Sequence, residues 1–346
     1  MERHLINGSA SIVEALEALN RLSGASMVLF VTGEDGRLIG SLTDGDVRRA
    51  LLGGRRLEDS IADICKRDCL VVYRDRHDTG VITKARDMGI TLLPMVEYGV
   101  VVGLIDLRRQ RGLVPADAVL MAGGMGERLR PLTAHCPKPL LPVGGKPIID
   151  HNIELLRQFG IENIYVSVNY LKEQVIEHIS RLDASITCVE EPTRLGTIGA
   201  LALVKGIQAP NVIVMNADLL TDINLEAMYI KHLETEAWLT MAVTPYTVSV
   251  PFAIVDHEGE RVKGLTEKPT YNYYANAGIY MMRREVVEGM RKGEYLDATD
   301  LIERVLATGR RVSLFQISGR WIDIGSPDDY RHACEIMTPA GGTKIS

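Results

Sequence analysis

Residues 120–149 read LMAGGMGERLRPLTAHCPKPLLPVGGKPII, and this stretch decides the fold of the larger part of the chain. A short apolar run, residues 118–121, leads into a loop with Gly123, Gly124 and Gly126, followed by Arg128, Lys138 and Lys146. Glycines after a strand let the backbone approach a phosphate chain and aim successive N–H groups at it, while Arg and Lys supply positive charge. The stretch reads as a seat for a nucleoside triphosphate. Two commoner phosphate loops are excluded. A Walker loop needs G-x-x-x-x-G-K-[ST], but Gly145-Lys146 is followed by Pro147 and Leu140 stands where the first glycine belongs. The dinucleotide fingerprint G-x-G-x-x-G begins at Gly124 and Gly126, but its third glycine position is Leu129 and Arg128 intrudes.

Residue by residue, the stretch resembles the signature of the sugar-1-phosphate nucleotidyltransferases: G-G-x-G-x-R-L-x-P-L-T, then P-K-P-L-L-P-V, then K-P-I. Gly123, Gly124, Gly126, Arg128, Leu129, Pro131, Leu132, Thr133, Pro137, Lys138, Pro139, Pro142, Val143, Lys146 and Pro147 all fall in place. The resemblance implies an α/β, Rossmann-like (GT-A-like) nucleotidyltransferase domain with a mixed, mostly parallel sheet. It implies that Ala122, Gly123, Gly124 and Gly126 bind the nucleotide and that Arg128 and Lys138 are catalytic.

At 346 residues the chain is comfortable for two domains. A hydrophobic content of 46% and a mean hydropathy of +0.04 describe a globular protein. No apolar run approaches the ~18 residues of a membrane helix and no signal peptide opens the chain, so a cytoplasmic protein without membrane contact is expected. Five scattered cysteines without a C-x-x-C pair argue against disulfides and zinc. A net charge of −6 with no long basic run argues against nucleic acid as a partner.

From Ile6 to about Leu107 the text repeats itself loosely. Helix SIVEALEALNRL, strand SMVLFVT, a turn at residues 34–36, strand RLIGSLT and helix DGDVRRALL are echoed by a charged run ending in TGVITKARDMG, strand LLPMVE, a turn at Tyr98-Gly99, and VVVGLIDLRR. The arrangement is similar to a tandem pair of CBS motifs, an α+β module whose halves often bind adenine nucleotides between them. In that family a T-x-x-D step holds a ribose, matched here by Thr43 and Asp46; the second copy has Asp106 and Arg109 instead. Thr43 and Asp46 read equally well as a turn and helix N-cap. Charge, glycine and proline in residues 109–117 place the boundary between a regulatory domain, 1–112, and a catalytic domain, 113–346.

Beyond the signature, strands and amphipathic helices alternate, predicting a parallel sheet with ligands at its C-terminal strand ends. Residues 190–201, EEPTRLGTIGAL, before a helix expected to start near Thr197, resemble the family's base-reading segment in its guanylyltransferase form, assigning Glu191, Gly196 and Thr197 to the nucleotide. A carboxylate only accepts hydrogen bonds and guanine offers two adjacent donors, so GTP is preferred over UTP, CTP or dTTP. Glu190 and Glu191 also read as a solvated acidic pair. The strand NVIVMN delivers Asp218 at its end, and W-x-D-I-G-[ST]-P-x-D-Y delivers Asp323; the resemblance makes both Mg²⁺ ligands, in keeping with magnesium's use of one or two carboxylates plus phosphates. Glu267, Lys268 and Pro269 match the family's E-K-P element, and residues 276–280 its N-A-G-I-Y strand, which assigns Glu267, Asn276 and Gly278 to the sugar and Lys268 to its 1-phosphate.

The expected reaction is an in-line displacement at the α-phosphorus of an NTP by a sugar 1-phosphate, within a cationic cage. The sugar is open: mannose, glucosamine and a manno-heptose all fit, with products bound for polysaccharide or glycoconjugate synthesis. A homo-oligomer is expected. A catalytically silent nucleotide sensor is the rival reading, against which the intact set Arg128, Lys138, Asp218, Lys268 and Asp323 speaks. A related glycosyltransferase would carry Asp-x-Asp where this chain has Asn216-Ala217-Asp218.

Overall fold

The computed structural model describes residues 1–22, 26–74 and 79–337; part of the charged run before TGVITKARDMG and the last nine residues lie outside them. The chain divides into two compact units, Met1–Val114 with Gln158–Gly160, and Pro115–Arg157 with Ile161–Ser346.

The first unit is built twice on one plan. Its first half holds β1 (Leu5–Asn7), α1 (Ile12–Arg21), β2 (Val28–Thr32), β3 (Leu38–Thr43) and α2 (Asp44–Leu52), its second β4 (Val72–Tyr73), α3 (Thr79–Asp87), β5 (Leu92–Glu97) and β6 (Val100–Asp106). In each half the first strand runs parallel to the second and the second antiparallel to the third, so the duplication read from sequence is a duplication of topology. Helix α1 starts where Ser11 and Glu14 cap each other, and its spacing turns Ile12, Ala15, Ala18 and Leu19 onto Leu29, Val31, Leu42 and Val47. Val72, Ile82, Ala85, Leu93 and Ile105 form the matching core of the second half.

The second unit runs β7 (Ala116–Met121), β8 (Pro142–Val143), β9 (Lys146–Pro147), α4 (Ile148–Gln158), β10 (Ile164–Val168), α5 (Lys172–Leu182), β11 (Thr187–Glu190), β12 (Asn211–Asn216), β13 (Leu219–Thr221), α6 (Leu225–Glu234), β14 (Leu239–Ser249), β15 (Ile254–Glu258), β16 (Arg261–Thr266), β17 (Thr270–Arg283), α7 (Arg284–Glu288), α8 (Ala298–Ala307), β18 (Val312–Gln316), β19 (Trp321–Asp323) and α9 (Pro327–Met337). Seven strands form one sheet in the order β11-β10-β7-β12-β17-β14-β18. Strands β10 and β12 are buried along almost their whole length, as strands covered on both faces must be.

The sheet is mixed and mostly parallel, as the resemblance implied: β17 runs antiparallel to both β12 and β14, because the chain after β14 returns through the β15–β16 hairpin and not through a crossover helix, while the other pairings in it are parallel. One expectation is corrected. The helix expected near Thr197 is only a 3₁₀ turn, Gly199–Leu203, because the Ile198 and Gly199 N–H groups both donate to Leu296 O at 3.1 Å. What matters for the site is that β7, β10 and β12 are adjacent and parallel, so the loops after Met121, Val168 and Asn216 open side by side. Among the described residues no helix is long and apolar enough to cross a membrane.

Candidate active site

The glycine-rich loop leaves β7 between its two neighbours. Ala122 N–H donates to Ser167 O at 3.0 Å and Ala217 N–H to Met121 O at 3.1 Å, so the loop is pinned to the ends of β10 and β12. Gly123 packs on Glu191: a Cβ there would lie 2.5 Å from Glu191 Oε1, so no other residue fits without moving the carboxylate. Gly126, at φ +61°, turns the chain left-handed toward Thr133 and Lys138. Gly124 has open space above it.

Asp218 and Asp323, far apart in sequence, are brought together by a two-stranded ribbon in which Leu219 pairs with Asp323 and Ile324 N–H donates to Asp218 O at 3.2 Å. The ribbon stands on a small core of Leu129, Leu141, Val143, Ile148, Leu220, Ile322 and Ile324. Lys138, only 8% exposed, donates to Asp218 Oδ2 and lies 3.8 Å from Asp323 Oδ1. An ammonium buried to that degree needs such counter-charges. The Arg128 guanidinium lies over Gly325, where a Cβ would meet Nη2 at 3.1 Å. Burial, and then the Asp218 carboxylate, push the Asp323 carboxyl above the usual range, while Lys138 and Arg128 act in the opposite sense.

Among the described residues no group of three or more His, Cys, Asp or Glu side chains is arranged to hold a metal. Asp218 Oδ1, however, is buried without a hydrogen-bond partner. Two carboxylates with one open oxygen suit Mg²⁺, which takes its remaining ligands from phosphates and water.

A cavity of about 170 Å³ continues from this cluster, lined by Gly123, Gly124, Ser167, Glu191, Arg194, Gly196, Thr197, Asn216, Asp218, Tyr295 and Asp297. Whole-ligand pockets run to roughly 300–1,000 Å³, so it takes one end of a nucleotide. The acidic pair is split by the fold. Glu190 is exposed and takes a hydrogen bond from Lys172 at 2.6 Å, whereas Glu191 is 6% exposed and accepts from Leu195 N–H at 3.3 Å. Burial raises the Glu191 carboxyl, with Leu195, Ser167 and Arg194 opposing. Thr197 is clamped from a distance: its N–H donates to Asp297 Oδ1 at 2.8 Å and its Oγ1 accepts from Ala298 N–H at 2.9 Å. Ser167, Arg194, Tyr295 and Asp297 are lining residues that sequence reasoning missed. Ser167, at the end of a buried strand, carried a usable signal; Asp297, a hundred residues from Thr197, carried none.

Gly278 packs on Asn216, whose Nδ2 would lie 2.5 Å from a Cβ there, and Asn276 donates to Tyr280 Oη at 2.7 Å and accepts from Gly278 N–H at 3.0 Å. These residues adjoin the end of β12, next to Asp218. Glu267 and Lys268 do not: they are exposed in the turn before β17, and the seven residues from Thr270 to Asn276 are extended strand, about 20 Å of chain.

In the first unit, Thr43 and Asp46 form a reciprocal cap on α2: Thr43 N–H and Oγ1 donate to Asp46 Oδ2 at 2.8 and 2.6 Å, and Arg49 donates to Asp46 Oδ1. Burial acts to raise the Asp46 carboxyl, but the hydrogen bonds from Thr43 and Arg49 prevail and hold it low. Both residues also line a cavity of about 530 Å³ with Ser41, Arg49, Lys66, Lys84 and Thr91. The N-cap reading thus describes these atoms, and the same two residues face the cavity.

Comparison with known proteins accords with this geometry. The chain is similar to mannose-1-phosphate guanyltransferase beta-B of Xenopus laevis, 31% identical over 227 residues, and to mannose-1-phosphate guanylyltransferase 1 of Arabidopsis thaliana, 30% identical over 226; each alignment covers 62% of this chain. The chain spans 62% of the length of each of those relatives. In fold it is similar to HddC from Yersinia pseudotuberculosis, with a TM-score of 0.52 and 24% identity over 64% of this chain and 100% of that one. The CBS domain model matches residues 4–53. The Nucleotidyl transferase model matches residues 117–338, well over half of the chain and every element that builds the cleft, so the chain belongs to the nucleotidyl transferase family.

Proposed function

We propose that this protein transfers a nucleoside monophosphate, guanylate by preference, from an NTP to a sugar 1-phosphate and releases pyrophosphate. One observation carries the reading: Arg128, Lys138, Asp218 and Asp323 converge beside a glycine loop that is packed on a buried carboxylate. The reaction joins anions. An oxygen of the sugar 1-phosphate forms a bond to the α-phosphorus as the bond to the bridging oxygen of the β-phosphate breaks, and the electron pair leaves with pyrophosphate. The attacking monoester is already ionised, so no general base is needed. Rate enhancement comes from positioning and charge neutralisation. Arg128 and Lys138 supply fixed positive charge for the triphosphate, and Asn276 and Gly278 shape the acceptor pocket. Mg²⁺ held by Asp218 and Asp323 would add divalent charge against phosphate oxygens. Glu267 and Lys268 join the acceptor side only when the turn that carries them comes toward Asn276.

Preference for GTP is supported by Glu191, which as a carboxylate offers acceptors alone to the N1–H and N2 amino donors of guanine, and by the names of the relatives. The deciding experiment incubates the protein with each of four NTPs, a panel of sugar 1-phosphates and Mg²⁺, and measures pyrophosphate. Release with GTP and one sugar 1-phosphate is expected; release from no pair would sink the reading in favour of a silent sensor. The first unit is proposed to bind an adenine nucleotide in its 530 Å³ cavity, where Arg49, Lys66 and Lys84 offer positive charge, and thereby to tune turnover. Titration with AMP, ADP and ATP tests this, and unchanged turnover with no heat of binding would end it. An NTP-consuming reaction of this kind fits a cytoplasmic setting.

A further inference from the structure

Residues 191–198 bear the Glu191 carboxylate and Thr197, yet they form neither helix nor strand. Their geometry is imposed by a segment a hundred residues further on. Leu296 N–H donates to Leu195 O at 2.9 Å, and Leu296 O accepts from the Ile198 and Gly199 N–H groups, both at 3.1 Å. A Cβ on Gly196, at φ +83°, would lie 2.5 Å from Leu296 O, and one on Gly199 2.7 Å from Glu294 O, so the two backbones lie directly against each other. Leu296, Ala298, Leu301 and Val305 share one buried core with Ile198 and Leu201, and close packing of that kind makes the platform stiff.

Asp297, the N-cap residue of α8, lines the cavity from this platform. Its Oδ1 accepts from Thr197 N–H at 2.8 Å and its Oδ2 from the Tyr295 hydroxyl at 3.3 Å, while the next residue, Ala298, donates its N–H to Thr197 Oγ1 at 2.9 Å. Thr197 is therefore held at both its backbone and its side chain. Its N–H is spent and one lone pair of its hydroxyl is engaged, but the hydroxyl proton is left over, and among the described residues no acceptor takes it. Thr197 faces the same cavity as Glu191 and Asp218. The arrangement presents one hydrogen-bond donor, fixed in place, to whatever fills that cavity.

We propose that Asp297 is a positioning residue for the transfer reaction: it fixes Thr197 so that the threonine hydroxyl donates to an oxygen of the bound NTP. The inference rests on the reading of the cleft as an NTP site. A segment without regular structure would have to be ordered each time the nucleotide binds, and a clamp made in advance removes that entropic cost. Asp297 acts through Thr197 and needs no contact of its own with the substrate.

Pyrophosphate release and calorimetric titration with the four NTPs, both on the full chain with Mg²⁺, test the inference. Asp297→Ser keeps a favoured N-cap residue on α8 but is too short to reach the Thr197 N–H, so its melting temperature is expected to match the wild type. The KM and Kd for the preferred NTP are expected to rise ~10-fold with kcat changed far less, the effect of losing one preset hydrogen bond. Asp297→Asn keeps an acceptor oxygen in place and is expected to hold both constants within ~3-fold of wild type. Thr197→Val keeps the clamped N–H and loses the hydroxyl, so it is expected to match Asp297→Ser, and the double variant to be no worse than either, because the two residues act through one bond. A Ser variant with wild-type KM and Kd, or an Asn variant as impaired as Ser, overturns the inference, while pyrophosphate release by the wild type leaves the transfer reaction standing. A wild type that binds an NTP without turnover removes the reaction, and the Kd values then decide on Asp297; a wild type that binds no NTP removes both.

Discussion

Replacing Lys138 with methionine keeps the length of the side chain and removes its charge, leaving Asp218 and Asp323 facing each other. The Lys138 side chain is 10% exposed, and those of its partners 27% and 45%. Breaking a fully buried pair costs about 3–5 kcal/mol; because water reaches both carboxylates, about 2 kcal/mol is the expected loss. Adding Asp218→Asn removes one of the two facing charges, so the double variant should recover most of that stability. Turnover should fall ~10²-fold or more in Lys138→Met and should not recover in the double variant, since the missing charge acts on the transition state. Both tryptophans, Trp238 and Trp321, belong to the second unit, and Trp321 donates to Ala277 O at 2.8 Å two residues before Asp323. Urea unfolding followed by tryptophan fluorescence therefore reports on the unit that holds the cleft, and pyrophosphate release reports on turnover. A single variant as stable as wild type, or a double variant with restored turnover, would refute the reasoning.

Glu191→Gln should reduce the preference for GTP over UTP ~10- to 100-fold, measured as the ratio of kcat/KM, because an amide presents one acceptor and one donor where guanine needs two acceptors. Since burial raises the Glu191 carboxyl, its charged form is lost at a higher pH than for an ordinary glutamate. The KM for GTP should thus rise as pH falls through that raised value, and a flat profile in wild type would remove the assignment. The same raised value means that Glu191 lowers stability as pH rises from its unfolded toward its folded pKa, so the Gln variant should gain stability at neutral pH relative to acid. Gly123→Ala should mimic Glu191→Gln in base preference, because the added Cβ must displace Glu191 Oε1; an enzyme with unaltered preference would show that this contact does not matter. Asp46→Ala should lower the stability of the first unit by about 1 kcal/mol through the lost cap and abolish adenine nucleotide binding by calorimetry. Retained binding would leave Asp46 as a cap alone.

Much of this protein was legible in one dimension. Buried strands such as residues 164–168 and 211–216 announce themselves as apolar runs, since burial on both faces leaves no room for alternation, and the cap formed by Thr43 with Asp46 is local chemistry. The ordered motifs around Arg128, Lys138, Asp218 and Asp323 belong to the same class, because spacing along the chain sets which loop follows which strand. Contacts between distant segments are another matter, for a strand's partners depend on register and on how the chain returns. Only the β13–β19 pairing sets Asp323 beside Asp218 and the Lys138 ammonium between them. Only the position of Glu191 beneath Gly123 separates it from its neighbour Glu190, which is the same residue type in the same run but points to water. Only the sheet's topology carries residues 245–274 beyond the reach of β12 and β18, so that Tyr246, Tyr271 and Tyr273 stand exposed.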